Sequence, residues 1–293
     1  MAKNIQKIPL VESIFLYEER ETEGHSPMFF NCTDGEDYFC KYRTQLKKEE
    51  IDCLVYELVC NKLLVRLGIP TPEIAFVLLT QGSIDLTKLR RNKRYAKPNT
   101  ICFGSKALPH TELVTGIQTI ATKTQLNKFV NPYDLLKIAM FDLWVDNVDR
   151  GRNDNYNLLI ETIEINDEEI ISTKKKFGYR WVAFDNAFAF GGEQKIRMFN
   201  ESMMPSPFQK LIETSYFQDY KKHLAKKVSY NIAENFLSLS PHEIESIVNN
   251  VFEQLPAQWQ IPVLLKDRIC RFIANPQRIQ MVKYITINAI KNK

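Results

Sequence analysis

Residues 147–190 constrain this chain more than any other stretch. They read Asn147-Val148-Asp149-Arg150-Gly151-Arg152-Asn153-Asp154-Asn155-Tyr156-Asn157-Leu158-Leu159-Ile160, a hairpin's length of chain, then Trp181-Val182-Ala183-Phe184-Asp185-Asn186-Ala187-Phe188. Just upstream, Leu135, Leu136, Ala139, Met140, Leu143 and Trp144 recur at helical spacing, so a helix buried on one side delivers Asn147 and Asp149 from its C-terminal end. An amide then heads an apolar strand at Asn157, and a second carboxylate ends the next apolar strand at Asp185. Together they make one constellation of oxygen-bearing side chains.

Such a set fits phosphoryl transfer. That chemistry needs one carboxylate to orient a hydroxyl nucleophile, and hard oxygen ligands for the magnesium that bridges the nucleotide phosphates. Asp149 suits the first task, Asn157 with Asp185 the second. Asp and Asn are also ordinary turn residues, so the stretch alone reads equally as a polar loop and a strand end.

Composition narrows the class without choosing a function. With 44% hydrophobic and 25% charged residues, 293 residues suffice for one large domain or two small lobes around a sizeable core. A net charge of +4, spread along the chain, is too mild to argue for nucleic acid. Cys32, Cys40, Cys53, Cys60, Cys102 and Cys270 show no Cys-x-x-Cys spacing, which points to reduced, buried thiols. The start, Met-Ala-Lys-Asn-Ile-Gln-Lys, lacks the apolar core of a signal peptide, and no run approaches the ~18 apolar residues of a membrane span. The cytoplasm is the expected location.

Toward the N-terminus, 13–19, 28–33 and 38–42 are rich in aromatic and β-branched residues, with Asp34-Gly35 as a hairpin signal between the last two. Lys41 stands among apolar neighbours in the third strand, either as an edge residue that discourages aggregation or held for a ligand. A helix over 47–67 follows, with Ile51, Leu54, Val55, Leu58, Leu63 and Leu67 at helical spacing, Gly68 as its stop and Pro70 beyond. Glu57 lies beside that stripe and could reach back to Lys41. A strand over 72–79 completes a small sheet. The basic run 81–98, with Lys88, Arg90, Arg91, Lys93, Arg94 and Lys97, reads as an interlobe connection or exposed loop. Further on, Asn131-Pro132-Tyr133-Asp134 suggests a helix start with Asn131 as N-cap. Strands are expected over 156–164, 168–172 and 179–185, then a capping box at Ser240-Pro241-His242-Glu243, and helices over 263–273 and 277–290 split by Asn275-Pro276.

The order of these elements resembles a two-lobed protein kinase, and the chain is similar to the short, single-chain branch of the HipA-like kinase family. Phe39-Cys40-Lys41-Tyr42-Arg43, Glu57-Leu58 and Leu67-Gly68-Ile69-Pro70-Thr71-Pro72-Glu73-Ile74-Ala75 resemble that branch's small lobe. Phe141-Asp142, Asn147-Val148-Asp149-Arg150, Asn157-Leu158-Leu159 and Phe184-Asp185 resemble its catalytic lobe. The similarity covers about 8–192. It implies an α+β fold with a nucleotide-binding lobe over 1–79 and a catalytic, mainly helical lobe over 80–293. It implies ATP and Mg2+ as cofactors, Lys41 on the nucleotide phosphates, Glu57 as its ion-pair partner, Asp149 as catalytic base, and Asn157 and Asp185 as magnesium ligands. Gly24 and Ser26 fall where a phosphate-covering loop would lie, although no G-x-G-x-x-G run is present.

Two departures stand out. The family's asparagine follows the catalytic aspartate by five residues, where this chain has Asp154; the Asn-Leu-Leu match comes at Asn157, and Asn153 or Asn155 could serve instead. Asp185 is followed by Asn186-Ala187 rather than glycine or histidine-glycine. The expected activity is Mg-dependent phosphate transfer from ATP to a hydroxyl, on a protein Ser or Thr or on the enzyme itself. The alternative is a degenerate nucleotide-binding module acting through a protein partner. Neither membrane nor nucleic acid is an expected partner.

Overall fold

The computed structural model describes residues 7–21, 26–47, 49–115, 120, 122–152, 156–165, 176–191 and 202–291. Its first half is a closed five-stranded barrel in the order β1-β2-β3-β5-β4. The strands are β1 (Leu10–Glu19), β2 (Met28–Cys32), β3 (Asp37–Lys41), β4 (Ile74–Leu78) and β5 (Ile101–Lys106). Closure comes from a short parallel ladder that pairs Leu10 with Phe76 and Glu12 with Leu78. β3 pairs with β2 on one side and β5 on the other, so Lys41 is not an edge lysine.

Period-two alternation fills the barrel. Val11, Leu16, Met28, Phe30, Tyr38, Cys40, Val77 and Cys102 point inward to a separate apolar core. The interior is tight enough to dictate one glycine: a Cβ on Gly104 would lie 2.6 Å from Val77 Cγ2. β5 lies beyond residue 79, so the basic stretch 81–98 is not a link between lobes. It is an insertion between two strands of one barrel, and its Leu89 and Ala96, each 4% exposed, pack into the barrel core. The sequence missed β5 because Gly104 and Lys106 interrupt its apolar run.

Helix α1 (Glu49–Arg66) packs outside the barrel and is buried along most of its length. Glu50 fixes its start by accepting from the backbone N–H groups of Thr44 and Gln45, and Gly68, at φ 71°, ends it. α1 is covered on more than the single apolar stripe read from sequence because a second apolar core surrounds it. That core runs from Ile74, Phe76 and Phe103 through α1 to the helices beyond.

The chain beyond the barrel contains a three-stranded sheet, β6 (Thr111–Leu113), β7 (Leu158–Glu164) and β8 (Phe177–Ala183), and the short helix α2 (Lys123–Leu126). Helix α3 (Asp134–Val145) is almost wholly buried. Its N-cap is Tyr133 rather than Asn131, whose carbonyl accepts from the Asp134 N–H. Helices α4 (Ser215–Lys221), α5 (Lys226–Asn235), α6 (Pro241–Glu253), α7 (Leu265–Ile273) and α8 (Pro276–Lys291) complete the chain. The capping box at Ser240 and Glu243 forms as expected. The strand expected over 168–172 lies outside the described residues. All six cysteines are free thiols. Among the described residues no helix is long and apolar enough to cross a membrane.

Candidate active site

Two strand ends and one helix meet at Lys41. Its ammonium lies 2.7 Å from Glu57 Oε1 and 2.8 Å from Asp185 Oδ2. Lys41 sits at the end of β3, Glu57 in the middle of α1, and Asp185 two residues past β8. Burial alone would lower the Lys41 pKa, but the Asp185 and Glu57 carboxylates outweigh it and hold the lysine above its ordinary value. Burial pushes Glu57 upward against the pull of Lys41, with Asp185 adding repulsion. The other Glu57 oxygen accepts the Asn186 backbone N–H at 2.7 Å, which ties α1 to the turn after β8.

The register of β7 on β8 supplies the next part. Leu158 pairs with Ala183, so the start of β7 lies beside the end of β8, and the Phe184 N–H donates to the Asn157 carbonyl at 3.2 Å. Asn157 Nδ2 donates to Asp149 Oδ2 at 2.8 Å. An amide whose nitrogen donates to a carboxylate keeps its oxygen as an acceptor atom. Burial raises the Asp149 pKa; the Asn157 hydrogen bond opposes that rise, nearby Asp185 adds to it, and Arg150 and Lys41 oppose it. Asp146, Asn157 and Asp185 all have positive φ, at 54°, 44° and 53°. Asp and Asn are the side chains that tolerate this region best, so the sharp corners of the site carry the residue types able to make them.

Arg150 is the member that sequence reasoning left without a role. Fully buried, it ion-pairs with Asp142, Nε to Oδ2 at 2.7 Å, although the two atoms lack hydrogen-bond alignment. Its other nitrogens donate to the carbonyls of Tyr156, Asn157 and Phe184 and to Asn186 Oδ1. One guanidinium therefore fastens the Asp149 loop to both the Asn157 and Asp185 corners. Asn186, which departs from the family pattern, joins this network to Glu57. Beneath the loop, buried Lys210 donates to Asp146 Oδ1 and the Asn147 carbonyl, each at 2.8 Å. Asp142 and Asp146 thus hold the buried Arg150 and Lys210 in place. A signal for Arg150 and Lys210 was hard to find, because exposed loops carry arginine and lysine just as often.

Ser26 is bonded to the stretch between β4 and β5. Its carbonyl accepts from Asn92 Nδ2 at 2.6 Å and its Oγ from Arg91 at 3.2 Å. Gly24, Asn153, Asp154 and Asn155 lie outside the described residues. An open groove of about 460 Å³ borders the loop, lined by Gly151, Pro207, Phe208, Lys210 and Thr214 among others.

A barrel lysine paired with a helix glutamate, facing a loop carboxylate delivered by a buried helix, is a kinase-like arrangement, and a solved structure agrees on the fold. The crystal structure of a Helicobacter pylori proinflammatory kinase, CtkA, superposes with a TM-score of 0.51 at 13% identity over 97% of this chain and 99% of that one. A Golgi casein kinase with Mn/ADP bound is a more distant likeness, with a TM-score of 0.43 at 10% identity over 96% of this chain and 73% of that one. The profile of the HipA-like kinase family matches residues 15–273, and the chain belongs to that family. No curated protein matches it.

Proposed function

We propose that this HipA-like kinase transfers the γ-phosphoryl group of ATP to a hydroxyl, in a Mg2+-dependent reaction carried out in a cleft between a barrel-bearing lobe and a helical lobe. Lys41 carries the reading: a buried ammonium held between the carboxylates of a helix and of a strand end, at 2.7 and 2.8 Å, supports a role on nucleotide phosphates. Glu57 orients it. The positive-φ corners supply Asn157 and Asp185, oxygen donors of the hard type that magnesium takes, usually one or two from protein. Magnesium, when bound, would neutralise charge on the phosphates. The β1–β2 connection, with Gly24 and Ser26, would cover them.

Asp149 would accept the proton of the attacking hydroxyl, held in place by Asn157 and by the backbone that Arg150 fastens. The acceptor is a Ser or Thr on a protein or on the enzyme itself, and the open groove beside Gly151 borders the Asp149 loop where such a hydroxyl would approach. Six free thiols suit a reducing cytoplasm.

The test is Asp149→Asn. Turnover should fall by roughly 10²–10⁴-fold, the range for loss of a general base, while Mg·ATP binding stays near that of the parent protein. Undiminished turnover would exclude Asp149 as the base. Mg·ATP binding by the parent protein without any transfer would instead favour a nucleotide-binding module.

A further inference from the structure

The insertion between β4 and β5 is built as a mount. The Glu19 carboxylate accepts three consecutive backbone N–H groups, those of Arg90, Arg91 and Asn92. Asn92, 1% exposed, reaches the Ser26 carbonyl, and Lys88 donates to the Leu16 carbonyl at 2.8 Å. Leu89 and Ala96 anchor it in the barrel core.

Six cations stand between residues 86 and 98, and no acid. Several are used locally: Arg90 pairs with Glu21, Lys88 lies 4.0 Å from Asp85, and Arg91 reaches Ser26. Lys93, Arg94 and Lys97 are exposed, and among the described residues no carboxylate pairs with any of them. Tyr95 between them lies 5.2 Å under the Arg43 guanidinium, two residues after Lys41. Arg94 also lies over the Tyr95 ring, at 5.7 Å. The mount thus holds three exposed cations, none with a carboxylate partner among the described residues, near the end of β3 where Lys41 lies.

We propose that Lys93, Arg94 and Lys97 form a docking surface for an acidic polypeptide segment, the carboxylate-rich flank of the protein that this kinase phosphorylates. That the acidic segment belongs to a protein this chain phosphorylates rests on the kinase reading; the docking itself does not. Because the backbone that carries these cations is already tied down, only their side chains need ordering when carboxylates arrive, and attraction at such a surface raises encounter rates in a salt-dependent way. Three cations within five residues match a short acidic cluster. They fall well short of the broad basic face that nucleic acid calls for, in a chain whose net charge is only +4.

The probe is a fluorescent peptide of one serine flanked on each side by four glutamates, with a glutamine-flanked isostere and a single-stranded oligonucleotide of equal charge beside it. Binding is read by anisotropy on the full chain. The glutamate peptide should bind at least tenfold more tightly than the glutamine one. Lys93→Glu with Arg94→Glu and Lys97→Glu, or 0.5 M NaCl, should remove that difference, and the milder Lys93→Gln with Lys97→Gln should reduce it. Thermal unfolding and the Mg·ATP-induced stabilisation should be unchanged in both variants. Equal binding of the two peptides, indifference to the substitutions, a preference for the oligonucleotide, or loss of Mg·ATP binding in the variants would each overturn the proposal. Glutamate-peptide binding by a chain that shows no Mg·ATP stabilisation would sink the kinase reading and leave the docking surface standing.

Discussion

Asn157 shows how one amide can set the working range of a neighbouring carboxylate. Burial and Asp185 raise the Asp149 pKa, and the Asn157 hydrogen bond pulls it down. A base works when deprotonated, so the rate should climb with pH through this raised value, above the ~3.9 of a free aspartate. Asn157→Ala removes a lowering contact. Its acid limb of kcat/KM should therefore move to higher pH, on top of weaker Mg-dependent nucleotide binding; a limb that stays put or moves down would show that the contact has no hold on Asp149. The residue types of this site were legible because Asp, Asn and a strand lysine carry recognisable chemistry. Arg150 was not, since nothing in sequence says that an arginine in a polar loop will be fully buried against five partners.

At the scale of elements, α3 matters most, because its C-terminus aims the Asp149 loop. That end is held from far away in sequence: Arg278 of α8 donates to the carbonyls of Leu143, Trp144 and Met203, and Trp144 Nε1 donates to the Ile273 carbonyl. A cation at a helix C-terminus satisfies the last carbonyls and complements the dipole. Arg278 is fully buried, so its pKa falls, chiefly through burial, to about 10. Arg278→Met should lower unfolding free energy by about 2–4 kcal/mol, from carbonyls left without their donor. Arg278→Lys should recover only part of this, since an ammonium lacks the planar fork. Urea denaturation measures both, and a neutral Arg278→Met would mean that the helix end needs no such anchor.

For the whole molecule, the cluster of Lys41, Glu57 and Asp185 joins β3, α1 and the turn after β8 through one ammonium. A ligand that engages this cluster should stabilise the complete fold, because it binds the folded chain and not the unfolded one. At 100 times its Kd, Mg·ATP should add roughly 2.7 kcal/mol, which for a chain of this size is a rise of about 4–5 °C in Tm. Lys41→Met should abolish the rise. A shift that survives in that variant would place the nucleotide elsewhere.

The sequence by itself determined the local elements and the chemical cast. Hydrophobic period, caps and breakers give β1 to β4, α1, α3 and α6 to α8, because those signals act over a few residues, and Lys41, Glu57, Asp149, Asn157 and Asp185 stand out by type and order. Tertiary structure alone decided how they meet. The parallel β1–β4 ladder that closes the barrel, the entry of β5 across a long basic insertion, and the anchoring by Arg150, Lys210 and Arg278 all join residues far apart in the chain. Such long-range pairings leave no periodic mark, because burial and partner choice follow from how faces pack rather than from the neighbours of each residue.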